Sequence, residues 1–351
     1  MPNFYAKISQ ELTEGTDLCL AIIIRQTGST PRGVGTRFFV RRDGSIEGTI
    51  GGGSLEARVI AAARHALAGG EACLLNFRLQ GADVADSEML CGGNVDVYLE
   101  PAHAADQEAR DIYQAAGSAL ETGGRALLAT LILPGPLPDL SGRKMLFVKG
   151  KNPFGRLAPL PGRWVENFAG LLAQRHPLPA LEEPAAEGQP GCFAEPIVKR
   201  PVVYLMGAGH VSMQLARLVK MVGFDLVVAD DRPEFANQER FPQADEIWVN
   251  DFSSIFKDMS LGTDAYVVIV TRGHMHDKVV LAQALAQETA YVGMIGSQRK
   301  REAIYQALLS EGISQKHLAA VHCPIGLAIG AQTPEEIAVS IAAELIAVRN
   351  G

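Results

Sequence analysis

The chain has 351 residues, room for two or three domains, and its 47% hydrophobic and 20% charged content excludes disorder as a description of the whole. A formal net charge of −7 argues against a dedicated nucleic-acid binder, although backbone amides still hold anions locally. Cys19, Cys73, Cys91, Cys192 and Cys323 are odd in number, scattered and without a Cys-x-x-Cys, which excludes a secreted disulfide framework.

The first residues lack a signal or transit pattern, and no apolar run approaches the ~20 residues needed to span a bilayer. The expectation is a cytoplasmic protein with no membrane or nucleic-acid partner.

In chain order, 3–13 reads as a short amphipathic helix, and Leu18 to Ile24 as a buried strand. Segments 37–41 and 45–50 flank Asp43-Gly44, a hairpin signal. Ser54 opens an alanine-rich helix to about Leu67, stopped by Gly69-Gly70. Strands at 72–78 and 95–99, a helix near 105–121, a strand at 125–132 and a hairpin near 143–157 follow. This makes 1–173 a mixed α/β domain. No repeat at solenoid spacing is visible. Residues 174–199, rich in Pro, Gly and Glu, read as a linker. From 200 to 351 strands at 202–206, 225–230, 246–249, 265–270 and 290–295 alternate with helices at 211–222, 276–288 and 298–310. That alternation predicts a doubly wound parallel sheet of Rossmann type.

Glycine turns and charged residues cluster after these strands. Gly207-Ala208-Gly209-His210 follows the first parallel strand, with Ser212 where the dinucleotide fingerprint has its third glycine, and Asp230 ends the second strand where a ribose carboxylate belongs. Arg272, His274, His276 and Asp277 follow the fourth strand and offer anion contacts, a proton relay or metal ligands. Alternatively, Asp277 caps the next helix and the histidines are solvated. Zinc needs three or four converging ligands, and no complete set is visible, so no metal is assigned. Gly296, Ser297 and Arg299 follow the fifth strand with Lys300 and Arg301, a pattern suited to phosphate or to a basic solvent face. Thr333-Pro334-Glu335-Glu336 reads as a capping box. In the first half, Arg32 lies in a glycine-rich turn, and Gly51-Gly52-Gly53-Ser54 presents amides at a helix start. Cys91, directly before Gly92-Gly93, is a candidate reactive thiol or else a buried hydrophobe.

Together the segments GSTPRGVG, GTIGGGSLE, LCGGNVDV, GAGHVS, ADDRPEFAN, VTRGHMHD, GMIGSQRKR and PIGLAIGAQTPEEIA resemble the XdhC/CoxI family. The resemblance spans most of the chain, with little at 135–195. It implies an accessory protein of molybdenum hydroxylases, a maturation chaperone rather than an enzyme. Such proteins bind the molybdenum cofactor (molybdopterin, with or without a cytosine dinucleotide) and support its sulfuration with a cysteine desulfurase. They insert it into the apo molybdenum hydroxylase, and are commonly homodimers. Cys91 is then the candidate for contact with molybdenum or sulfur. Cys323 stands where the family would have serine. The glycine turn and Asp230 also permit an NAD(P)-dependent oxidoreductase or a non-catalytic nucleotide sensor. No Tyr-x-x-x-Lys pair accompanies them.

Overall fold

The computed structural model describes residues 3–28, 30, 32–78, 93–122, 124–132, 142–158, 160–174, 177–184, 186, 189–257 and 259–350. The chain divides into two units, Met1–Lys199 and Arg200–Gly351.

The first unit runs α1 (Phe4–Thr13), β1 (Leu18–Thr27), β2 (Arg37–Arg41), β3 (Ile46–Gly48), α2 (Gly53–Gly69), β4 (Cys73–Arg78) and β5 (Asn94–Ala102). It continues with α3 (Gln107–Glu121), β6 (Ala126–Ile132), β7 (Arg143–Val148), β8 (Phe154–Leu157), α4 (Gly162–Ala173), β9 (Ala180–Glu182) and β10 (Gly191–Ile197). The strands form two antiparallel sheets, ordered β3-β2-β1-β5-β4 and β8-β7-β6-β10-β9.

The continuous apolar run of β1 has a direct cause, since both of its faces are buried. Leu18, Leu20, Ile22 and Ile24 join a core with α1 and α3, while Cys19, Ala21 and Ile23 face the α2 side. Alternation along a strand sends successive side chains to opposite faces, so burial on both sides removes the polar half of the pattern.

The segment read as a linker, 174–199, is corrected here. It contains β9 and β10, and β10 pairs along its whole length with β6, inside the second sheet. Pro177, Pro179 and Pro184 flank the short strands, and Gly191 and Pro196 lie within β10. Cys192, Phe193 and Ala194 are buried, which supplies the driving force that composition concealed. Helix α4 was also unread. Trp164, Phe168 and Leu172 are its buried face at helical spacing, but Pro161 at its start supplies no side-chain cap.

The second unit is a parallel sheet ordered β13-β12-β11-β14-β15, from β11 (Val202–Met206), β12 (Asp225–Asp230), β13 (Glu246–Val249), β14 (Ala265–Ile269) and β15 (Tyr291–Met294). Helices α5 (His210–Met221) and α9 (Pro334–Asn350) pack in one core. Helices α6 (His274–Leu285) and α7 (Gln298–Ser310), with the short α8 (Gln315–Ala319), contribute to the other. This is the doubly wound arrangement expected, with its order reversing between β11 and β14. Thr333 caps α9 as read: the Glu336 amide donates to its Oγ1 (3.2 Å) and its own amide donates to Glu336 Oε2 (3.2 Å). Helix α6 starts two residues earlier than expected, so His274 and His276 lie in its first turn.

Candidate functional site at the carboxyl edge of the parallel sheet

The strand order places the β11–α5 and β14–α6 connections side by side, at the point where ligands bind in open α/β sheets. Gly207 is required by backbone contact. Its φ is 107°, and a Cβ there would lie 2.5 Å from the Val270 carbonyl oxygen. Gly209 is different. It is the N-cap residue of α5, makes no side-chain cap, and has nothing within 4 Å of where a Cβ would sit. Gly273 holds the same place on α6, again without a side-chain cap and again open. Two helix N-termini thus start at adjacent connections with amides that no capping side chain uses, the arrangement that favours an anion.

Several residues named from the sequence are consumed by the fold. Ser212 is fully buried and its hydroxyl donates to the Gly207 carbonyl at 2.5 Å, so it closes the turn and does not face a ligand. Asp230 is 2% exposed; its Oδ2 accepts from the Ala208 amide (2.9 Å) and its Oδ1 from Arg232 Nε (2.9 Å). Burial pushes its carboxyl up, but the Arg232 guanidinium and the Ala208 amide outweigh this and hold it below the usual aspartate range. A carboxylate so engaged is not poised for a ribose hydroxyl. Asp277 is also fully buried. It accepts from the Thr271 hydroxyl (2.6 Å) and pairs with Lys300, tying the β14–α6 connection to α7. Neither the helix-capping role nor a free proton relay describes it. Ser297 caps α7, accepting from the Lys300 amide at 3.3 Å.

The remaining named residues separate into two places. Arg272 is at the switch point, where it donates to Asp231 Oδ2 at 2.7 Å. His210 is exposed in the first turn of α5. His274, Ser297 and Arg299 instead line a cleft of about 770 Å³ between α6 and α7, with Met275, Lys278 and Lys300. Gly296 precedes α7, where a Cβ would press on the Lys300 side chain at 3.0 Å. His276 packs its ring against Phe252.

Two cations were not named from the sequence. Arg232 stacks over the Phe235 ring at 3.7 Å while gripping Asp230. Arg240 donates to the carbonyls of Phe235 (3.1 Å) and Ala208 (3.3 Å), so it brings its charge to the glycine turn through neutral partners. Arg232 lies in the segment ADDRPEFAN and Arg240 just beyond it, but a cation past the end of a strand has no periodicity to reveal where it folds back.

In the first unit, Gly51, Gly52 and Gly53 all take positive φ (124°, 77° and 69°), as an amide-rich turn requires. The anion they hold is internal. Glu56 Oε2 accepts from the Ile50 amide (3.0 Å), the Gly52 amide (3.3 Å) and the Thr49 hydroxyl (2.5 Å). Burial raises its carboxyl, and these donors more than reverse that. The Gly52 amide is thus engaged by α2 itself, and the Gly51 amide donates to the Thr49 hydroxyl at 3.0 Å. Ser54 and Arg32 are exposed, and the Thr30 hydroxyl donates to the Arg32 carbonyl. Cys91 lies outside the described residues. The β4 and β5 ends that bracket it, Arg78 and Asn94, pair with each other, and Asn94 also pairs with Thr27.

Among the described residues, no three His, Cys, Asp or Glu side chains converge as a metal set.

Residues 203–345 match the family described as the XdhC Rossmann domain, and residues 12–78 match the XdhC and CoxI family. The chain belongs to the XdhC/CoxI family. It is 26% identical over 99% of its length to the uncharacterized protein YqeB of Escherichia coli (strain K12), of which it spans 46%. It is 25% identical to a protein of Bacillus subtilis (strain 168) named as a probable xanthine dehydrogenase subunit, covering 99% of this chain and 98% of that one. A crystal structure named as a xanthine dehydrogenase from Bacillus halodurans superposes with a TM-score of 0.76 at 25% identity, covering 100% of this chain and 96% of the other. Membership supports a general accessory role toward molybdenum hydroxylases. No helix among the described residues is long and apolar enough to cross a membrane.

Proposed function

We propose that this XdhC/CoxI protein binds the molybdenum cofactor, supports its sulfuration by a cysteine desulfurase, and delivers it to an apo molybdenum hydroxylase in the cytoplasm, acting as a homodimeric chaperone and not as an enzyme. The observation that carries the proposal is the pair of open, glycine-started helix ends at Gly209 and Gly273, beside Arg272 and Arg240. Molybdopterin is a phosphate-bearing ligand, and unengaged amides with nearby guanidinium groups suit a phosphate. On this reading α5 and α6 hold the phosphate end, and His210 lies within the same turn. The cofactor, when bound, supplies the molybdenum centre that the client hydroxylase uses; the chain's part is to bind, orient and release it.

The Asp230 lock bears on the nicotinamide alternative. Both of its oxygens already accept from Arg232 and Ala208, so the ribose contact of an NAD(P) enzyme would compete with the Arg232 guanidinium for a buried carboxylate.

Cys91 is the thiol we assign to sulfur or molybdenum contact. The described cysteines are poor candidates because burial raises each of them: Cys19, Cys73 and Cys323 upward, and Cys192 up to about 12. Each is therefore a neutral thiol at pH 7, and the thiolate is the reactive form. Cys91→Ala should abolish support of cofactor sulfuration in a desulfurase assay, while Cys73→Ala retains it. Equal, negligible effects would remove Cys91 from the account.

A further inference from the structure

The two sheets of the first unit have the same strand order, reached by the same element sequence. Helix, three antiparallel strands, helix and two strands occur as α1 to β5 and again as α3 to β10. We infer that this unit is an internal duplication, whose two copies are fastened across a pseudo-twofold interface by two equivalent ion pairs on buried glutamates. One is Arg37 with Glu195; the other is Lys144 with Glu100.

The strand registers carry the equivalence residue by residue. In the first copy Ile22 lies opposite Arg37 and Leu20 opposite Glu100. In the second copy Thr130 lies opposite Lys144 and Leu128 opposite Glu195. Arg37 thus corresponds to Lys144, and Glu100 to Glu195. The same chain spacing relates Leu20 to Leu128, Ile22 to Thr130 and Tyr5 to Tyr113. Further down β2 and β7, Phe38 faces Gly48 and Met145 faces Gly155. Both glycines take positive φ, 94° and 89°. A Cβ on Gly48 would meet the Arg37 carbonyl at 2.9 Å, and one on Gly155 the Lys144 carbonyl at 2.7 Å.

The side-chain contacts repeat across the interface. Each cation comes from one copy and its carboxylate from the other. Arg37 pairs with Glu195, and Lys144 Nζ lies 2.8 Å from Glu100 Oε2. Each cation also lies over a buried tyrosine ring of its own copy's first helix: Arg37 over Tyr5 at 4.7 Å, Lys144 over Tyr113 at 5.5 Å. Glu100 and Glu195 are each 1% exposed. The shared core follows the same rule, with Leu20, Phe39 and Tyr98 of one copy matched by Leu128, Leu146 and Phe193 of the other. Helices α1 and α3 meet at the interface, where the Asn3 side chain donates to the Gly117 carbonyl at 2.8 Å.

The copies have diverged at their connections. Helix α2 starts from the triglycine turn with Glu56 in its amides, while α4 starts after Pro161. The interface has been kept and the glycine-rich helix start belongs to the first copy. This inference stands apart from the cofactor proposal and is tested by stability alone.

The experiment is a pair of double-mutant cycles on the full chain, read as the urea midpoint of the first unit's unfolding. One cycle uses Arg37→Met and Glu195→Gln, the other Lys144→Met and Glu100→Gln. Each single change should lower the midpoint, because it leaves a buried charge without its partner. Each within-pair double should lose less than the sum of its singles, and Glu100→Gln with Glu195→Gln should lose the sum. If the truncations prevent folding, the exchange Arg37→Lys with Lys144→Arg replaces them; it should fold with its midpoint close to the unaltered chain. The inference is overturned if one pair matters and its counterpart does not, if Arg37 couples to Glu100 as strongly as to Glu195, or if the exchange fails to fold.

Discussion

Glu56 carries the clearest residue-scale consequence. Its carboxylate sits among the Ile50 and Gly52 amides and the Thr49 hydroxyl at the start of α2, where a negative charge also meets the positive end of the helix dipole. Its folded pKa is depressed, so its contribution to stability is full above the unfolded glutamate value of about 4.3 and is lost as pH falls through the lower folded value. Glu56→Gln should therefore lower stability by about 1 kcal/mol at pH 7, a cap-sized loss. The gap to the unaltered chain should close on acidification below about pH 4. Paired urea titrations at pH 7 and pH 3 measure it, and a gap that widens in acid would contradict the assignment. The glycine triplet was legible in the sequence as an anion-holding turn. Its occupant was not, because nothing in local spacing distinguishes a helix-borne glutamate that turns back from one that faces solvent. Ser212 and Asp230 teach the same lesson: their positions in the fingerprint were readable, but their partners, Gly207 and Arg232, are fixed by folding.

At the scale of elements, the glycines of one turn separate into different jobs. Gly207 is needed because the β11–α5 connection touches the β14–α6 connection, whereas Gly209 starts α5 in open space and no neighbour requires it. Gly207→Ala should destabilise the second unit by about 2 kcal/mol or more, since an L residue is strained at φ 107° and its methyl meets backbone. Gly209→Ala has φ −79° and no neighbours to meet, and should stay within about 1 kcal/mol of the unaltered chain. Thermal unfolding of the two variants checks this, and similar losses would show that the connections do not touch. The alternation of strands and helices in this unit was plain from the sequence because each parallel strand is a short apolar run followed by a helical period. Helix α4, β9 and β10 escaped, because prolines surround strands of three and seven residues and no cap announces the helix.

For the whole molecule, the division at Lys199 separates an antiparallel unit from a parallel one. The symmetry of the first unit was hidden from the sequence by divergence. Corresponding positions hold Arg and Lys, Tyr and Phe, or Ile and Thr, and only the hydrogen-bond register aligns them. Glu100, Glu195 and Lys144 are buried and Arg37 is 24% exposed, so truncating either cation strands a buried carboxylate and should cost about 3–5 kcal/mol, far beyond a surface ion pair. In the second unit the motifs fall at the carboxyl edge of the parallel sheet, and the proposed site is the pair of open starts of α5 and α6. Cofactor occupancy tests the proposed binding role most directly. Purified protein, exposed to a molybdenum cofactor donor, is assayed for bound molybdenum and for pterin by fluorescence after oxidation, alongside a folded Gly209→Val variant. The unaltered protein should hold close to one cofactor per chain and the variant far less, because its valine side chain would stand where the phosphate approaches. Failure of the unaltered protein to retain pterin, or undiminished retention by Gly209→Val, would contradict that role.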